Sequence, residues 1–204
     1  GRIQKLGSLV MKRIDVYNIC LDVLNIEPIT EQDLTQRLDP VPTLERNFGF
    51  AVLKASKEHD WTFLTEVVKL GEDLGREGGY GHSYKLPYGL LRVVHMTGRG
   101  VVSGSKLLTD GFPRVYAIMA EKTAKGEFVF EQDDSIPEDF WQLVACQLAM
   151  FCAPRLCRDT NVFSMIQYNY KSVLANMIES DSRNCVNFIE QDEESEELYG
   201  VDYE

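Results

Sequence analysis

The sequence predicts an α+β fold, a bundle-like core of four helices with a small antiparallel β-sheet inserted between the second and third. Three observations predict it. Apolar residues recur at helical spacing near both ends of the 204-residue chain, the middle shifts to short apolar runs rich in β-branched residues, and glycine and proline collect where the period changes. Four amphipathic helices cannot bury their stripes alone and must pack together, so a sheet lying between two of them in sequence projects from the bundle.

The first helix is expected over residues 11–24, where Ile14, Tyr17, Leu21 and Leu24 share one face and Cys20 and Val23 widen it. Asn25, Ile26, Glu27 and Pro28 break it, because proline disfavours the helical conformation in the residue before it. Thr30 is placed to cap a short helix over residues 31–38, ended by Asp39, Pro40 and Pro42. The second long helix is expected over residues 43–59, with Leu44, Phe48, Ala51, Val52 and Ala55 inward and Glu45, Arg46, Lys54 and Lys57 outward. From Trp61 to Leu70 the pattern turns toward alternation and reads as a strand.

Residues 71–88 hold Gly71, Gly75, Gly78, Gly79, Gly81 and Pro87 and read as a long irregular loop. Strands are expected over 90–96, 100–103, 106–109 and 114–121, with residues 101–108 forming a hairpin around Gly104 and Ser105. The third helix has the clearest start: Ser135 caps, Pro137 sits in the first turn, and Glu138 follows three residues after the serine. It is expected to reach Cys152, with Phe140, Leu143, Val144, Leu148 and Phe151 inward, while Trp141, Ala145 and Cys152 carry the apolar surface so far round that two faces need cover. Pro154 is expected to stop it. Asp159 and Thr160 then cap a fourth helix to Ser180, with Phe163, Ile166, Tyr170, Val173, Leu174, Met177 and Ile178 on one face. The parts are the N-terminal helices and first strand (1–70), the inserted loop and sheet (71–134), the C-terminal helices completing the bundle (135–189) and an acidic tail (190–204). No internal repeat or tandem-domain boundary is seen.

A formal charge of −11 argues against a surface that binds nucleic acid by neutralising phosphates, which needs clustered Lys and Arg. Much of the excess lies in Glu190, Asp192, Glu193, Glu194, Glu196 and Glu197, whose mutual repulsion predicts a solvated tail. No apolar run approaches the roughly 20 residues that cross a bilayer, and residues 1–10 lack the apolar stretch of a secretory signal. Cys20, Cys146, Cys152, Cys157 and Cys185 are odd in number and scattered among apolar residues, which predicts reduced thiols in a cytosol. A soluble chain is expected, without metal or cofactor.

Catalysis needs convergent acid, base, nucleophile or metal groups. His59, His82 and His95 fall at a helix end, in the glycine-rich loop and in a strand, with no local carboxylate or cysteine pattern joining them. The run from Gly75 to Gly81 lacks both the Gly-Lys-Ser ending of a phosphate loop and dinucleotide glycine spacing, and Ser103 and Ser105 sit in no nucleophile elbow. Trp61 and Trp141 lie in or beside the apolar stripes and read as core. Arg92, Arg99, Lys106 and Arg114 form a sparse basic set around the sheet, placed to meet acidic neighbours or to line a path for DNA.

The opening helix with Leu24-Asn25-Ile26-Glu27-Pro28-Ile29, and the second helix running into Asp60-Trp61-Thr62-Phe63 and a strand, resemble the N-terminal half of the podophage head-to-tail adaptors of the tail tubular protein A family. Leu86-Pro87 with Leu90-Leu91-Arg92-Val93-Val94 is similar to the family's entry into its sheet. The segment from Ile136 to Trp141, continued to Phe151-Cys152-Ala153-Pro154-Arg155, resembles its next helix and Ala-Pro break. The acidic C-terminus with Tyr199, Asp202 and Tyr203 is similar in character. The shared order of these short motifs from about Met11 onward carries the resemblance; residues 1–10 and 71–84 stand outside it.

The resemblance implies a structural virion protein: a ring of about a dozen copies at the neck, between portal and tail nozzle, made in the host cytoplasm and passing DNA at ejection without sequence-specific binding. It implies no catalytic residue. Tyr199, Asp202 and Tyr203 become portal-docking candidates; Arg92, Arg99, Lys106 and Arg114 become candidates for lumen or nozzle contact. Two other readings stand beside it: an α+β interaction module that forms no ring, and a small cytosolic enzyme with its site where the glycine-rich loop meets the sheet.

Overall fold

A computed structural model describes residues 11–119, 136–157 and 160–198, with residues 160 and 183–198 described by backbone alone. Helices α1 (Arg13–Val23), α2 (Glu31–Gln36) and α3 (Val41–Lys57) come first, followed by a 3-10 turn (Thr62–Leu64). Six strands follow: β1 (Thr65–Lys69), β2 (His82–Lys85), β3 (Leu90–Met96), β4 (Gly100–Ser103), β5 (Lys106–Thr109) and β6 (Arg114–Met119). Helices α4 (Glu138–Leu156) and α5 (Thr160–Leu198) complete the α+β architecture.

α4 is the hub, packed against α1, α3 and α5. Phe140, Trp141, Leu143, Val144, Ala145, Leu148, Ala149 and Cys152 are all buried, so the helix has no wet face along most of its length, as expected for one covered on two sides. Each such side chain contributes about 1.5–3 kcal/mol when large. The stripes of α1 and α3 are buried as their spacing requires, with Val16 added. Phe151 and Phe163, expected inward, are each 40% exposed. A sequence stripe is about 100° wide, and the neighbours decide which edge is covered: Met150 and Cys152 take the core near Phe151, and Val162 takes it in the first turn of α5.

Thr30 caps α2 as expected, its Oγ1 accepting from Asp33 N (3.3 Å) while Asp33 Oδ2 accepts from Thr30 N (2.8 Å). Helix α4 starts at Glu138 with Pro137 in extended geometry at its N-cap, so that proline stands before the first turn; Ser135 lies outside the described residues. Pro154 does not stop the helix, which continues to Leu156. In a last turn the missing N–H removes one bond, and Cys157 N closes on Ala153 O at 2.8 Å. Helix α5 runs past Ser180 to Leu198, through the acidic stretch expected to be unfolded. Extending a helix already nucleated by packing avoids the nucleation cost, and like-charge pairs oppose it by only a few tenths of a kcal/mol each.

The single expected sheet is two, ordered β1-β6-β3 and β2-β5-β4, both antiparallel. β2 lies inside the segment read as a loop, too short and too glycine-flanked to show a period. The run expected to be one strand from Trp61 opens with the 3-10 turn, because Trp61 is fully buried and its Nε1 donates to Ala55 O at 2.9 Å. The hairpin of β4 and β5 forms as predicted, with Gly104 at φ +59. The chain changes sheet where residues 97–99 pass residues 110–113: Asp110 N donates to Arg99 O (2.8 Å), and a Cβ on Gly111 would lie 1.6 Å from Thr97 O.

β6 is buried from Val115 to Met119. Val115, Ala117 and Met119 join Leu70, Tyr84 and Leu107 in a second core, which places the two sheets face to face, whereas Ile118 belongs to the helical core. A strand buried on both faces reads as a continuous apolar run, as Val115 to Met119 does. The layers are therefore helices, first sheet, second sheet.

Candidate functional site

Three of the four basic residues singled out from the sequence meet carboxylates. Arg92 on β3 pairs with Asp60 and donates from Nη1 to Lys57 O (3.2 Å). Arg99, in the β3–β4 turn, donates from Nε to Asp110 (2.9 Å) and from Nη2 to Gly79 O (2.8 Å), and lies over the Tyr80 ring at 4.7 Å. Lys106 on β5 reaches Glu77 at 2.7 Å. Arg114 opens β6 opposite Lys69 and stands 5.8 Å from the Phe112 ring. Tyr199, Asp202 and Tyr203 lie outside the described residues.

These contacts fasten the glycine-rich segment to the second sheet. Asp73 Oδ1 accepts from Gly75 N (2.9 Å) and Ser83 N (3.3 Å), and its Oδ2 lies 2.5 Å from His82 Nδ1. The His82 bond, then the Gly75 amide, holds the Asp73 carboxyl below its ordinary range. Asp110 is lowered in the same sense, first by the Gly81 amide at 2.6 Å and then by Arg99. Gly75, Gly78 and Gly79 have positive φ, so the segment is a wound strap that other residues cannot follow without strain. Its outer side, residues 76–81, borders a shallow depression of about 380 Å³.

A second knot lies where helices and sheet join. Asp181 of α5, buried, accepts from Thr62 Oγ1 (2.5 Å) and Thr62 N (3.1 Å), tying residues 119 apart in sequence. His59 Nε2 stands 3.6 Å from the same carboxylate and its ring packs on Trp61. The three histidines thus serve separate places: His59 at this knot, His82 on the second sheet, His95 beside Tyr116 on the first. Cys20 and Cys152 meet across α1 and α4, and hydrogen bonding to Cys152 together with burial pushes the Cys20 thiol up. Among the described side chains Cys20, Cys146, Cys152 and Cys157 are free thiols, and no group of three or more described His, Cys, Asp or Glu is placed to hold a metal.

Another concavity is a groove of about 310 Å³ between α1 and α3, bordered by Arg13, Tyr17, Arg46, Phe48, Phe50 and Leu53. Its floor is aromatic: Tyr17 and Phe48 meet edge to face at 5.6 Å. Arg13 lies 5.2 Å over the Phe48 ring and hydrogen-bonds Tyr17, whose hydroxyl burial pushes up to about 12. Phe50, at the groove's edge, is 63% exposed. Glu45, also at the rim, is paired with Arg37 at 3.0 Å.

No protein-family model matches the chain, and no relative is found among curated proteins. Among the described residues no helix is long and apolar enough to cross a membrane. Sequence reasoning missed the acidic partners Asp60, Asp73, Asp110 and Asp181, which no local pattern marks. It also missed the groove, for which a signal existed: Phe50 interrupts the polar face that Arg46, Lys54 and Lys57 define.

Proposed function

We propose that this chain is a structural virion subunit, a head-to-tail adaptor that forms a ring between portal and tail nozzle at the neck of a tailed bacteriophage, through which DNA passes. It acts by shape and contact and is not an enzyme. The observation that carries the reading is the Asp60-Trp61-Thr62-Phe63 junction, the most telling part of the resemblance. There Asp60 holds the first sheet through Arg92, Trp61 fills the helical core, and Thr62 takes the Asp181 carboxylate. One short motif thus ties the helices to the first sheet, a join that a subunit fixed in a ring needs. Ion pairing of Arg92, Arg99 and Lys106 leaves these side chains little net charge with which to retain a passing polyanion.

Electron microscopy of mature particles tests the proposal: density for this chain at the collar is expected, and its absence there overturns the reading. A second arm is mass measurement of the purified chain with and without portal protein, where ring assembly on the portal is expected. Truncation after Ile189 removes the portal-docking candidates Tyr199, Asp202 and Tyr203 and is expected to abolish portal binding; unchanged binding removes the tail from the mechanism.

A further inference from the structure

Each of the two sheets ends in two edge strands, and three of these four edges are protected against further pairing. β2 is covered from outside: Asp73 bridges to Tyr84, and Leu74 N donates to Ser83 O at 2.8 Å. β3 carries Arg92 and His95 and shifts register twice along β6, the charged and bulged form that resists an added strand. β1 carries Glu66 and Lys69, charges that serve the same end.

β4 has none of these devices. From Gly100 to Ser105 the chain reads Gly-Val-Val-Ser-Gly-Ser, without charge or proline, and its register with β5 is unbroken. Among the described residues no backbone bonds to β4 from its other side, so alternate N–H and C=O groups along that side form a row open to pairing. Val101 and Val102 are 42% and 45% exposed, although Leu108 and Leu107, their partners across the ladder, are buried. Successive side chains point to opposite faces, so apolar surface is cut short on both faces of the sheet at this edge, and one more strand would cover both. The flanking charges do not oppose it, since Arg99 pairs with Asp110 and Lys106 with Glu77.

The strand that fits has the same features, an uncharged row with valines on both faces, and the chain itself supplies one. Two β4 strands run antiparallel about a two-fold axis set valine beside valine, oppose no like charges, and satisfy the outward backbone row of both copies at once. We propose that β4 pairs with β4 of a second copy, so that the three strands of each second sheet become one continuous sheet. The contact is isologous and closes at two copies. It uses no portal and does not rest on the neck reading. Two short strands make a small interface, so the pair is weak and depends on concentration.

The test is sedimentation velocity of the full-length chain without portal, from about 1 to 500 μM, in roughly 150 mM salt so that the acidic surfaces of the two copies are screened. An equilibrium between monomer and dimer is expected, with the dimer as the largest species. Val102→Lys and Val102→Glu each bring like charges together near the axis and are each expected to weaken the dimer about tenfold or more. Mixed, the two variants are expected to recover it, because lysine then meets glutamate. Val102→Thr keeps a β-branched side chain and is expected to hold the affinity within about threefold. Far-UV circular dichroism checks that each variant folds. Hydrogen exchange reads the contact itself: amides of residues 100–103 are expected to slow as concentration rises, while those of β1 stay unchanged. A monomer throughout the range overturns the proposal, whether its β4 amides exchange freely or are protected at every concentration by another part of the same chain. So does a dimer that survives Val102→Lys, a mixture that stays monomeric, or association that proceeds beyond two copies.

Discussion

The helical core around α4 and the second sheet with its glycine-rich strap are held by different physics. Around α4 the contacts are apolar and fully buried, from Leu143 and Leu148 to Trp61 and Tyr17. In the strap they are exposed and charged: Asp73 to His82, Asp110 to Gly81 and Arg99, Lys106 to Glu77. Burial is indifferent to pH and salt over wide ranges, whereas exposed charge-assisted bonds respond to both. One molecule therefore contains a region that sets its global stability and another whose local order the solution can adjust.

The largest effect should come from breaking the core at its join. Trp61→Ala is expected to cost about 4 kcal/mol, from lost burial and the cavity left behind, seen as a large drop in denaturation midpoint; a cost below about 1 kcal/mol would place Trp61 outside the core. Gly111→Ala tests the point where the chain changes sheet. Its Cβ has no room beside Thr97 O, so about 2–3 kcal/mol is expected, and circular dichroism should show helical content kept while strand signal falls. Asp181→Ala leaves the Thr62 amide without its acceptor and is expected to cost about 1–3 kcal/mol, with faster hydrogen exchange at residues 62–65.

The smallest effect sharpens the contrast through pH. Asp73 and Asp110 are both lowered below the 3.8 of an ordinary aspartate, so the order they confer is complete above that value and is lost as pH falls from about 4 through their depressed values. Amide resonances of Gly75, Gly81 and Ser83 are expected to titrate in that acid window while those of α4 do not. Asp73→Asn should remove the effect at Gly75 and Ser83 and keep it at Gly81. A common midpoint for strap and core would show the two regions to be one cooperative unit.

The helices were legible in the sequence because burial imposes a period: Leu44, Phe48, Ala51, Val52 and Ala55 turn inward as their spacing requires. Thr30 was legible because a cap is a local hydrogen bond. The second sheet was not, since β2 is four residues long and its partner β5 lies more than twenty residues away. The long-range knots were still less visible. Nothing near Asp181 announces Thr62, and nothing near Asp60 announces Arg92, for one carboxylate looks like another until the fold chooses its neighbour. Pro154 misled for the opposite reason: a strong local rule was applied in the last turn, where its cost is one bond. The groove lay between these cases, signalled by Phe50 yet meaningful only once α1 was seen beside α3.

β6 has a consequence for how this molecule can vary. Its odd-numbered side chains, Val115, Ala117 and Met119, answer to the second sheet, and Ile118 answers to the helices. A change of volume at one position is felt by one layer and a shift of the backbone by both, so the two halves cannot be revised independently across this strand. Recombination that swaps the distal sheet for another should succeed when it carries β6 along with new odd positions and old even ones, and fail when the cut falls inside the strand.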